Sequence, residues 1–130
     1  MDVWTATLPE IDEALMGAGL APETCFKTTF GTLWYWDTAQ NCGVQWRPTT
    51  DIQQARTLML DVLTERGWQI TLEKNTQSGV VTAKHEQLIE TCAEPICGIW
   101  CAQYEALTLC RVAYFCVKAA HDAVMPHTSA

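Results

Sequence analysis

Basic side chains are scarce in this sequence: eight Lys and Arg stand against 15 Asp and Glu, a net charge of −7 with the three His neutral. Such a chain lacks the cationic surface that displaces counterions from a DNA backbone, so no duplex nucleic acid is expected as a partner. No apolar run approaches the roughly 20 residues that span a bilayer, so no membrane is expected either. The start, Asp2-Val3-Trp4-Thr5, has neither the basic residues nor the apolar stretch of an export signal. The seven cysteines, an odd number, are therefore expected as free thiols in a reducing cytoplasm.

Catalytic signatures are missing as well. The glycines at 17, 19 and 31 do not stand between a strand and a helix start, where a phosphate loop would need them. His85-Glu86 lacks the second histidine of a zinc-protease helix. The expectation is a protein that is not an enzyme and uses no cofactor.

What the chain does have is enough apolar material to fold. It is 130 residues long, 48% hydrophobic and contains six tryptophans. One domain of this size buries roughly two-thirds of the surface of its unfolded chain.

Pro9 and the spacing of Ile11, Ala14, Leu15 and Ala18 predict a first helix over Leu8–Leu20, with Gly17 and Gly19 at its end. From Cys25 to Trp46 the pattern turns to strand: Phe26, Thr28 and Phe30 alternate, as do Trp34 and Trp36, with a turn at Asn41–Gly43. After Pro48, Thr50 and Gln53 form a capping box, Asp51 suits the first turn, and Gly67 suits the C-terminal cap. Ile52, Ala55, Met59, Val62 and Leu63 form one apolar face, so a helix is expected over Asp51–Arg66.

Trp68, Ile70 and Leu72 then alternate with polar residues. After a turn at Asn75–Gly79, Val81 and Ala83 share a face opposite Val80, Thr82 and Lys84. A third strand is expected over Ile96–Gln103 and a last helix over Tyr104–Ala123, followed by a frayed tail. The fold class is α+β: an antiparallel sheet of about three to five strands covered by helices, in the manner of an α-β-α sandwich. Residues 46–123 form its helix-strand-strand-strand-helix core, and residues 1–45 add a helix and a β segment. The last helix is apolar around most of its circumference, which argues for a homo-oligomer that covers its second side.

Two constellations could carry chemistry. Cys92, Cys97 and Cys101 cluster, but only Cys97-x3-Cys101 has zinc-ligand spacing. On a strand these two thiols would share a face and read as core, so no metal is assigned. Aromatic and cationic residues offer more: Trp36, Trp46, Arg47 and Arg56 are the candidate ligand-binding residues, since indoles stack on bases and guanidinium groups grip phosphate.

The capped helix after Pro48-Thr49-Thr50-Asp51, the step Arg66-Gly67-Trp68 into a strand, and the closing helix with Ala106-Leu107 and Cys110-Arg111-Val112-Ala113 resemble the phage ABA sandwich domain family. The resemblance spans roughly Trp46 to Ala120. It implies an antiparallel sheet with helices on both sides and a phage or prophage origin, with action in the host cytoplasm during infection. It transfers no catalytic residue. In that setting the expected function is anti-defence binding: a sponge that sequesters a small nucleotide immune signal, a cyclic nucleotide or cyclic ADP-ribose-like molecule, without cleaving it. The alternatives are an acidic inhibitor of a host defence protein (a nuclease or CRISPR effector) and a structural or host-takeover adaptor.

Overall fold

Thr7 starts the first helix, α1 (Leu8–Gly17), through a reciprocal cap. Its hydroxyl accepts from the Glu10 N–H at 3.3 Å, while the Glu10 carboxylate accepts from the Thr7 N–H at 3.0 Å. Gly19, at φ +79°, turns the chain out of the helix as the Leu20 N–H reaches back to Leu15 O. The computed structural model describes residues 2–85 and 95–128, with backbone alone at 102 and 123–128.

Three short strands follow, β1 (Phe26–Lys27), β2 (Leu33–Asp37) and β3 (Cys42–Gln45), paired antiparallel in that order. The alternation expected through Phe30 stops short. Thr28 and Thr32 close a tight loop around Gly31 (φ +86°), and this leaves Phe30 at the tip, 93% exposed.

Asp51, rather than Thr50, caps the next helix: its carboxylate accepts from the Gln53 and Gln54 N–H groups at 3.0 and 3.2 Å. This helix begins as α2 (Ile52–Thr57), widens into a π-helical turn (Leu58–Val62) and closes as α3 (Leu63–Glu65). In the π turn the Leu63 N–H bonds Leu58 O, five residues back. Gly67, at φ +96°, then feeds the chain into β4 (Trp68–Lys74).

A second antiparallel sheet has the order β4–β5–β6, with β5 at Ser78–His85 and β6 at Ile96–Cys101. Its inner face carries Trp68, Val81, Ala83 and Trp100, all buried. Across β6 the inner positions fall to Ile96, Gly98 and Trp100, so Cys97 and Cys101 point outward and are exposed. They share a face, as the spacing predicts, but it is the solvent face, not the core.

A 3-10 turn (Ala102–Tyr104) leads into α4 (Glu105–Thr128), whose backbone is helical beyond the tail expected after Ala123; no glycine follows Lys118 to stop it. The architecture of the described residues is α+β, two small antiparallel sheets with three helices, the middle one being α2, the π turn and α3 together. On the second sheet the helices of the described residues pack against one face, with α4 across β5 and β6 and α3 beside β4. The second side of α4 is covered from within the chain, by α1 and α2, where a second copy was expected. Between the sheet and these helices Leu109, Cys110, Ala113 and Cys116 are fully buried, and Val112, over Gly98 of β6, nearly so.

Two glycines let α4 and Trp100 settle on the sheet. A Cβ at Gly98 would lie 2.7 Å from side-chain carbons of Thr108 and Val112, and one at Gly79 would overlap the Trp100 indole. Gly98→Ala is therefore expected to lower stability by about 1 to 3 kcal/mol through overpacking. Gly17→Ala, where a Cβ meets nothing within 4 Å, should be neutral or stabilising by up to about 1 kcal/mol. Urea unfolding of both variants checks the contrast.

Candidate functional site

The chain reverses between β3 and α2, and that reversal builds a cleft. Gln54, largely buried on α2, ties it down: its Oε1 accepts from the Arg47 N–H at 2.7 Å and its Nε2 donates to Gln45 O at 2.7 Å. Trp46 lies inward, 5% exposed, with its Nε1 donating to Asp12 O at 3.1 Å. Tyr35, on the inner face of β2, meets Trp46 edge-on at 6.2 Å, beside the Gln54 side chain.

Between these rings and the helix lies a cavity of about 280 Å³. Leu20, Pro22, Leu58 and Val62 give it apolar walls, and Tyr35, Gln53, Gln54 and Thr57 supply its polar groups. Among the described residues its lining holds no carboxylate, imidazole, thiol or cationic group. The only ionisable group is the Tyr35 phenol. Burial raises it, the nearby Asp37 and Asp51 charges add to the rise, and the Gln54 amide opposes it. The phenol therefore stays protonated through neutral pH and offers a hydroxyl donor.

The four sequence candidates do not converge. Trp46 lines the cleft. Trp36 stands on the opposite face of β2, 48% exposed, because Tyr35 and Leu33 take the inward positions. Arg47 follows Trp46 and has an exposed side chain. Arg56 is held elsewhere: its guanidinium donates to both Glu105 carboxylate oxygens, at 3.1 and 3.3 Å, and Lys74 approaches the same carboxylate at 3.7 Å. The cleft residues that sequence reasoning missed are Tyr35, Gln53, Gln54 and Thr57. The Gln-Gln pair just inside a capped helix was the available signal.

Outside the cleft, the outer face of the first sheet is aromatic. Phe26 and Trp34 pair across β1 and β2, with Trp36 further along, and both Phe26 and Trp36 are exposed. Among the described residues no three His, Cys, Asp or Glu side chains gather as a metal-binding group, and Cys92 lies outside those residues. No helix of the described residues is long and apolar enough to cross a membrane.

Beneath the cleft sits a buried acid. The Asp12 carboxylate accepts from the Thr49 N–H and the Thr49 hydroxyl, both at 3.0 Å. Burial raises its pKa above the ordinary 3.8, and the Thr49 bonds pull it partly back. A carboxyl raised in the folded state contributes most stability below its unfolded value and loses that contribution as pH rises through the folded value. Wild type is thus expected to lose stability relative to Asp12→Asn as pH rises above about 4. Asp12→Ala, which strands the Thr49 N–H, should cost about 1 to 3 kcal/mol in acid, and progressively less as pH rises and the wild-type carboxyl ionises. Thermal unfolding of the three proteins across that range tests both statements. Compared with family models, curated proteins and solved structures, the chain gives no match.

Proposed function

We propose that this chain is a binding protein that holds a small planar ligand without turning it over, and that the ligand is the base of a small nucleotide seated in the Tyr35–Trp46 cleft. The observation that carries the reading is the character of the walls: two aromatic rings, two side-chain amides and two hydroxyls around a cavity of about 280 Å³. That volume sits at the lower edge of the roughly 300–1,000 Å³ of small-molecule sites, which suits one ring system and not a dinucleotide. Amides and hydroxyls both donate and accept, as the edge of a nucleobase requires. Phosphate belongs outside, with the exposed Arg47 as the cation next in the chain to the cleft. The resemblance to the phage ABA sandwich domain family gives the setting: an anti-defence sponge in the host cytoplasm.

A second reading has its own support. The exposed aromatic face of Phe26, Trp34 and Trp36, beside the Phe30 tip, has the residue types that anchor protein interfaces. It favours an inhibitor of a host defence protein, with the acidic surface steering it to a basic target.

Calorimetric titration with nucleosides, cyclic mononucleotides and cyclic ADP-ribose separates the two. On the cleft reading one of these binds, and Thr57→Trp, which fills the cleft from an exposed position, weakens it at least about tenfold while unfolding remains unchanged. Arg47→Ala should weaken phosphorylated ligands and leave nucleosides unaffected. For a nucleoside without a titrating group, affinity should be flat between about pH 6 and about pH 9, because the Tyr35 phenol is raised. If nothing in this set binds, the cleft reading fails and the aromatic face becomes the object of study.

A further inference from the structure

Strand β6 (Ile96–Cys101) ends the second sheet, and among the described residues no strand pairs with its outer edge. Which of its backbone groups face that edge follows from the hairpin. The Asn75 N–H donates to Ser78 O at 2.9 Å, so this pair is hydrogen-bonded, and such pairs alternate along antiparallel strands. Counting along the register, Ser78, Val80, Thr82 and Lys84 of β5 bond toward β4, while Gly79, Val81 and Ala83 bond toward β6. Their partners on β6 are Trp100, Gly98 and Ile96. The N–H and C=O groups of Cys97, Ile99 and Cys101 therefore point to the edge, and their side chains stand on the open outer face.

This edge has none of the devices that keep strands apart. Ile-Cys-Gly-Ile-Trp-Cys contains no charge and no proline, and Ile99 is 77% exposed. It is also self-complementary. An antiparallel copy in register about Ile99 sets Ile99 against its own mate, Gly98 against Trp100 and Cys97 against Cys101 of the second chain. The three edge-facing residues of each copy then meet as hydrogen-bonded pairs. In a chain of net charge −7 most surfaces would bring acids together on self-association, but this edge brings none.

We propose that β6 is the interface of a two-fold homodimer, in which two second sheets join edge to edge into one of six strands. The partner is a second copy, because this uncharged edge lets two copies of an acidic chain meet about a two-fold axis without opposing acids. The small-ligand cleft belongs to the other sheet, so dimerisation is independent of the function proposed for it.

The thiols report the register. Within one chain Cys97 and Cys101 are four residues apart on a strand, about 13 Å, too far for a disulfide. Across a hydrogen-bonded antiparallel pair the Cα atoms lie about 5.5 Å apart, within disulfide reach. The experiment is sedimentation equilibrium of the full chain under reducing conditions, followed by brief diamide oxidation and non-reducing peptide mapping. The expected result is a dimer whose intermolecular link joins Cys97 to Cys101. Ile99→Lys, placed at an exposed side chain, should raise the dimer dissociation constant at least about tenfold by setting two like charges opposite one another. Its far-ultraviolet spectrum and unfolding midpoint should stay as in wild type. A monomer at about 100 μM, well above the micromolar range of a modest interface, overturns the proposal. So does a dimer unmoved by Ile99→Lys, or a dominant link between any other pair of cysteines.

Discussion

The Asp12 carboxylate, accepting twice from Thr49, joins the first helix to the turn from which α2 departs. The Trp46 indole adds its own bond to the Asp12 backbone, so one residue anchors both ends of the segment from Trp46 to Thr49. Gln54 then closes that segment from the helix side by bonding on both sides of Trp46. A cleft between a sheet and a helix needs its walls held apart as well as together, and this small network does both. It does so with a buried acid whose charged form the interior disfavours, so the clamp holds less firmly at neutral pH than in acid.

Around that junction the rest of the chain is arranged by α4. Sheet lies on one side of it, α1 and α2 on the other, and the N-terminal Trp4 rests on it with Phe115 at 5.9 Å and the Arg111 guanidinium 4.9 Å above the indole. The most apolar positions of that helix, Leu109, Cys110, Ala113 and Cys116, are thereby buried within the chain. The thiols follow the same geometry: Cys110 and Cys116 are fully buried, with the Cys110 thiol pushed far up by burial, while Cys42, Cys97 and Cys101 face out.

Periodicity made the regular elements legible. The alternation of Val81 and Ala83 against Val80 and Lys84, the stop at Gly67 and the apolar face of the helix after Pro48 all carry their signal within a few residues. Side-chain assignment across space was not legible. Nothing in the spacing of Arg56 tells that Glu105, 49 residues on, holds it. Trp36 and Trp46 look equivalent until the register of β2 sends one outward and the other in. The shared face of Cys97 and Cys101 was readable, but which side of the sheet α4 would cover was not; that depends on Gly98 making room for it.

The π turn in the middle helix has a consequence for how this chain can change length. It holds one residue more than an α-helix needs, between a part that aims Gln54 at the β3 junction and a part that puts Leu63 in the core. The wide turn absorbs that extra residue, so losing one from Leu58–Val62 would let regular winding return with Gln54 and Leu63 both still at their contacts, whereas a loss in the regular parts, at about 100° per residue, would swing one of them away. This helix can therefore shorten by one residue at Leu58–Val62 and not in its regular turns, while other changes of length belong where the backbone carries no phase, as at the Phe30 loop.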